Sequence, residues 1–245
     1  MIIRIVCGVV ACAGIAWGIL IGPIVWNDKG VEDQARDLIQ RRQYSLSTLI
    51  QATPELERIE QRGFCHPSAM RAAAIVRWRI ANLSLDSGGV DVDAQFSKAE
   101  YALRQALSCA PIDSYLWFAL FRARTMQNGL SDADFDLLRM SYQTGANEGW
   151  VAIARNRLAF TIFGRLPPDL AESALSEYDG IVRSGIYEEA ISILTGPAWA
   201  WREPLLAHLE AVPLINRQVL SRGLIGLGYE IKIPGVESPE IRPWN

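Results

Sequence analysis

The run AEYALRQALSCAPIDSYLWFAL, residues 99–120, decides how this chain is read. Ala99, Leu103 and Ala106 recur four and three apart, the spacing of one face of an α-helix. Pro111 then stops that helix, because a proline lacks the N–H the next turn needs. Beyond it Trp117 and Leu120, again three apart, open a second apolar face. The unit is helix, turn, helix. Its small residues let the paired helices approach closely, and its bulky ones fill the gap to the next pair.

Working outward toward the C-terminus, Ala133 and Leu137 suit a further second helix, and Trp150 falls 33 residues after Trp117. Over roughly 90–155 the pattern resembles a degenerate tetratricopeptide array, whose repeat is about 34 residues. Phe121 stands where that repeat usually has Gly, and Arg124 where it usually has Tyr. The resemblance implies a concave surface that binds partners and does no chemistry. After 155 the repeat fades while helices continue. Pro167-Pro168-Asp169 breaks the chain before a helix over 170–184, followed by a short helix over 187–194 and a longer one over 203–222. Gly223, Gly226 and Gly228 end it, a short strand is expected at 229–233, and Pro234, Pro239 and Pro243 mark an extended tail.

Toward the N-terminus, an alanine-rich helix opens at Pro67 and runs to 85, before the loop Asp86-Ser87-Gly88-Gly89. A helical stalk precedes it, ended or kinked by Pro54 and closed by Gly63. From Ile5 to Trp26 there are 22 residues without a charge. As a helix they reach roughly 33 Å, enough for a hydrocarbon core of about 30 Å. The expectation is a transmembrane anchor with Trp26 in the interfacial belt. A cleaved signal peptide ending near Ala16-Trp17-Gly18, or a lipoprotein box ending at Cys12, fits less well because the apolar run continues past both. The expected architecture is all-α: an anchor over 1–26, a stalk over 27–62, a tetratricopeptide-like domain over 63–228 and a tail over 229–245.

Orientation divides the reading. Lys29, Arg36, Arg41 and Arg42 follow the span, while Arg4 and the terminal amine precede it, so the positive-inside rule places the bulk of the chain in the cytoplasm. A four-residue tail before a signal-anchor stays inside and exports the rest. The cysteines favour export. Cys7 and Cys12 lie in the span, so a disulfide is expected between Cys65 and Cys109, each at a helix boundary, with two buried free thiols as the alternative. A stable bridge requires an oxidising compartment, hence a periplasmic domain on a bacterial inner membrane.

Composition excludes several classes. The net charge of −3 is wrong for a nucleic-acid binder, and 50% hydrophobic content is wrong for disorder. Two histidines leave little for a metal site or a Ser/His machine. Asp91-Val92-Asp93 resembles a glycosyltransferase metal motif but has no preceding strand, and it reads as a loop with Asp93 capping a helix. Asp132, Asp134 and Asp136 alternate as in a calcium loop, yet Leu137 and Gln143 stand where Gly and Glu are required. The glycines at 223–228 have no strand before them and no helix after them. Cys65 and His66 are sequence neighbours, which does not set the imidazole as base for that thiol. His208 reads as an ordinary helical residue. No catalytic residue, cofactor or metal is expected.

Arginine supplies 21 of the 24 basic residues. Arg122 and Arg124, with Trp117 and Trp150, are the candidate binding residues, since Trp and Arg anchor interfaces. The anchor together with CAPIDSYLW, residues 109–117, resembles the small membrane-anchored accessory proteins of bacterial exopolysaccharide and O-antigen assembly. That resemblance implies a non-enzymatic assembly helper with a membrane-embedded or periplasmic partner, and contact with polysaccharide. The alternative is a cytoplasm-facing scaffold subunit of an unrelated membrane complex.

Overall fold

Helix follows helix along this chain in a computed structural model that describes residues 2–88, 91–146 and 148–237. The side chains of Ile2, Ile5, Leu20, Ile21, Ile24 and Val25 also lie outside the described residues. The protein is all-α. Among the described residues there is no strand, the one expected at 229–233 included. The chain divides into two compact units, Met1–Leu130 and Ser131–Asn245.

The first unit contains α1 (Ile2–Ile39), α2 (Leu46–Gln51), α3 (Thr53–Glu60), α4 (Pro67–Asp86), α5 (Val92–Cys109) and α6 (Ser114–Asn128). Its centre is α4, which touches each of the other five. The reason is compositional: Ala69, Ala72, Ala73, Ala74, Ile75, Val76, Trp78, Ile80 and Ala81 are all buried, so this helix is apolar nearly all round. Its alanines let neighbours approach closely. Pro67 sits in its first turn, where the missing N–H costs nothing. On α5 the buried face is Phe96, Ala99, Leu103 and Ala106, and Trp78 meets Phe96 edge-on at 5.9 Å. Asp113 starts α6 by accepting from the Leu116 N–H at 3.1 Å, and its other oxygen takes the Arg71 Nε at 2.5 Å.

The N-terminal helix corrects the expectation of an anchor. Among the described residues no helix is long and apolar enough to cross a membrane. Leu20, Ile21, Ile24 and Val25, on which the span reading also drew, have side chains outside the described residues. Nor does α1 stop at Trp26: it continues to Ile39, burying Asp28, Val31 and Ala35 within its unit. Earlier in the same helix Val9, Val10, Ile15, Trp17 and Ile19 are exposed. The inner-membrane localisation, both orientations, and a partner met in or across that membrane all rested on the anchor and are withdrawn. The stalk is also not one helix. Arg41, with φ 64°, turns the chain after α1, Ser45 caps α2, and Pro54 opens α3 instead of ending a helix.

The second unit contains α7 (Phe135–Thr144), α8 (Gly149–Thr161), α9 (Pro168–Arg183), α10 (Tyr187–Leu194), α11 (Arg202–His208) and α12 (Leu214–Gly226). Its core joins Phe160, Tyr178, Ile181, Val182, Ile193, Leu194, Leu205, Leu209, Leu220 and Leu224. The central element is α9, which packs against α7, α8, α10, α11 and α12. It closes with a left-handed Gly185 (φ 76°), the Gly185 N–H bonding the Val182 carbonyl and the Ile186 N–H the Ile181 carbonyl. After α12 the chain stays attached: Ile233 is buried, and Arg217 donates to the Pro234 carbonyl. Pro239 and Pro243 lie outside the described residues. The 33-residue step from Trp117 to Trp150 therefore crosses from one unit into the other.

Candidate functional site

Of the proposed binding residues on α6, Arg122 does not share a helix face with Trp117 and Arg124. Trp117 and Arg124 are seven apart on α6 and lie on the same side, whereas Arg122 is about 140° round the helix from Trp117. Trp117 donates its indole N–H to the Pro111 carbonyl at 2.7 Å. The Arg122 guanidinium lies over the Trp78 ring at 5.2 Å, and burial presses its pKa below the ordinary value. Arg124 approaches Glu100 at 3.9 Å. Trp150 is 42% exposed but belongs to the second unit.

Cys65 and Cys109 are joined in a disulfide with a Cα separation of 5.6 Å. Cys65 lies two residues before α4 and Cys109 ends α5, so the bridge staples two consecutive antiparallel helices at one end.

Beside that bridge lies an arrangement that looks like a hydrolytic relay. His66 Nδ1 is 3.1 Å from Asp28, which is fully buried, and His66 Nε2 is 3.4 Å from the Ser68 hydroxyl. In a working relay the serine proton goes to the imidazole and the carboxylate serves the imidazole alone. Here the Ser68 hydroxyl donates to Glu32 at 2.7 Å, and Asp28 accepts two bonds from Arg62 at 2.7 and 2.8 Å. Burial works against the Asp28 carboxylate, but the bonds from Arg62 and His66 outweigh it and hold its pKa below the usual value. The cluster ties α1 to the segment between α3 and α4.

The other acidic motifs are local. Asp134 forms a capping box with Ser131, accepting from its N–H at 3.1 Å and its hydroxyl at 2.6 Å, and Asp136 pairs with Arg139. Asp91, not Asp93, holds the cap position of α5, without a side-chain cap bond. Among the described residues no group of three His, Cys, Asp or Glu side chains is placed to hold a metal ion. His208 sits between Asp179 at 2.7 Å and Glu172 at 3.0 Å. Partial burial opposes its charge, yet the two carboxylates outweigh that and raise its pKa.

The site that sequence reading missed is in the second unit. A cleft of about 450 Å³ opens beside α7, α8 and α9, with Tyr142, Glu177 and Gly180 among its lining residues. Beneath it the buried Arg155 guanidinium donates to Glu177, to the Ser141 carbonyl at 2.6 Å and hydroxyl at 2.8 Å, and to the Gly145 carbonyl at 3.0 Å. Its guanidinium carbon lies over the Tyr142 ring, 4.2 Å from the centroid. The Tyr142 hydroxyl is buried and makes no bond of good geometry, although Arg155 is close enough to act on it. Burial and, second, the Glu177 charge push its pKa well above the ordinary value, so it stays a donor. Burial also raises the Glu177 pKa, against the pull of Arg155. The signals for this site in the sequence are faint: a glutamate on the apolar face of a helix, and Gly180 inside that helix with no break around it.

No family model, curated protein or solved structure matches this chain. The resemblance to exopolysaccharide and O-antigen accessory proteins is therefore without support. It is withdrawn, together with the assembly role, the polysaccharide contact and the scaffold alternative.

Proposed function

We propose that this chain is a non-catalytic binding module, built of helix pairs, whose contact surface lies on the second unit. One observation carries the reading. The ionisable groups that resemble catalytic sets are tied to one another, as Asp28, Arg62, His66 and Ser68 are, while a cleft of about 450 Å³ opens beside α7, α8 and α9. Photo-crosslinking tests this in the cells that make the protein, with a benzophenone amino acid introduced into the full chain at Ser176 beside the cleft and, separately, at Ile215 on α12. A discrete polypeptide adduct from the Ser176 position supports the module. No adduct from either position, together with turnover by the purified chain of any ester or amide in a hydrolase substrate panel, overturns it.

A further inference from the structure

Between Ile59 of α3 and Ala69 of α4, both buried, residues 60–68 include no buried side chain. Nothing apolar anchors this segment in the core. Polar bonds and one covalent bond hold it instead. Arg62 donates to Asp28 of α1 at 2.7 and 2.8 Å, and His66 Nδ1 lies 3.1 Å from the same carboxylate. Ser68 donates to Glu32 of α1 at 2.7 Å, and Glu60 accepts from Arg77 of α4 at 2.7 and 3.0 Å. Cys65 stands between Arg62 and His66 and is bridged to the end of α5.

Asp28 sits where α1 changes character. Before it Val9, Val10, Ile15, Trp17, Ile19 and Trp26 are exposed, and after it Val31 and Ala35 are buried. Asp28 itself is fully buried, so its charge depends on the donors brought to it. Arg62 and His66 come from the bridged segment, and Arg58 of α3 approaches to 3.7 Å. Ordering a stretch of chain costs conformational entropy, and a covalent tie within it meets part of that cost before the polar bonds form.

We propose that the Cys65–Cys109 bridge is a redox latch on α1. While it is closed, residues 61–66 keep Arg62 and His66 on Asp28, and its reduction loosens the start of the packed part of α1. The bridge is open to attack, since Cys65 is exposed and Cys109 half-buried. A dithiol is the reductant. Its first thiolate attacks Cys65 Sγ, the bond to Cys109 breaks, and Cys109 leaves as a thiolate. Its second thiolate then attacks the sulfur joined to Cys65, so that Cys65 leaves in turn. Two electrons pass to the bridge, the dithiol becomes a disulfide, and the two protons it gave up go to the cysteines. The coupling is reciprocal. The factor by which reduction weakens the contact at Asp28 is the factor by which losing that contact eases reduction.

Hydrogen exchange of the full chain, with and without dithiothreitol, tests the latch, and thiol labelling shows when the bridge is open. On reduction the amides of 28–35 are expected to exchange about tenfold faster, within the roughly 5- to 150-fold range of such couplings. In Asp28→Asn, whose neutral side chain needs no counter-charge, that response should fall below about threefold while the response of α4 and α5 remains. Across a series of reduced to oxidised dithiothreitol ratios, the bridge of Asp28→Asn should open at a ratio about tenfold lower than in wild type. If Asp28→Asn does not fold, Arg62→Gln removes the contact from the other side and is expected to shift the bridge equilibrium in the same direction. Equal exchange at 28–35 in the oxidised and the fully labelled, reduced protein overturns the proposal. So does a response in Asp28→Asn as large as in wild type, or a bridge equilibrium that neither substitution moves. Either result would leave the bridge as a staple of α4 to α5 alone.

Discussion

At the scale of single residues, two positions of the second unit carry measurable consequences. Gly180→Ala is expected to stabilise the protein by about 0.5–1 kcal/mol, because alanine is the better helix former and its methyl group enters open space. Urea unfolding measures this, and an unchanged or lower midpoint would mean the backbone at 180 is not relaxed. His208 sets a pH dependence. It faces Glu172 and Asp179, with the Arg183 charge also acting on Asp179. Its folded pKa is raised above 6.5, so the folded state holds the proton more tightly than the unfolded chain. The stability this contributes is fully present below 6.5 and is lost as pH rises through the folded pKa. Asp179, raised chiefly by burial, acts in the same direction but in the acid range. The unfolding midpoint of this unit should therefore be lower at about pH 8 than at about pH 6, and His208→Gln should flatten that difference. A midpoint independent of pH in wild type would show that the imidazole is not held by the carboxylates.

At the scale of elements, the Cys65–Cys109 bridge closes a chain separation of 44 residues between the start of α4 and the end of α5. The chain-entropy estimate for such a loop is about 4 kcal/mol, an upper figure. Reductant is expected to speed amide exchange in α4 and α5 by an amount equivalent to no more than that, and to leave α9 unchanged. Equal exchange with and without reductant would mean the bridge adds nothing to the fold. Most of these helices are legible in the sequence, because their limits are local. Pro67 and Pro168 open helices, Pro111 follows one, and Gly185 and Gly228 end others by taking positive φ. What misled was also local. The apolar run at 5–26 reads as a complete element, but the helix continues to Ile39 because Asp28, Val31 and Ala35 find partners brought in by α3 and α4, far along the chain. The cleft was illegible for the same reason. Tyr142, Glu177 and Gly180 come from two helices with a third between them in sequence, and no spacing rule joins them.

At the scale of the whole molecule, the division between Leu130 and Ser131 decides how the repeat resemblance is to be understood. Trp117 and Trp150 are spaced like successive repeats, yet α6 lies in the first unit and α8 in the second. The all-α, repeat-like arrangement of helix after helix is consistent with that spacing, and within each unit the helices pack on one central element, α4 in the first and α9 in the second. The second unit has what an independent domain needs. Its core is contiguous, Tyr178 is buried with its hydroxyl donating to the Ala190 carbonyl at 3.0 Å, and Ile233 closes the core from the far end of the chain. The Arg155 guanidinium is satisfied entirely from α7, α9 and the turn at Gly145, all of them within the unit. The fragment 131–245 expressed alone is therefore expected to be helical and to unfold in one cooperative transition by circular dichroism. A fragment that is helical but melts without a cooperative transition would show that this core is not complete within residues 131–245.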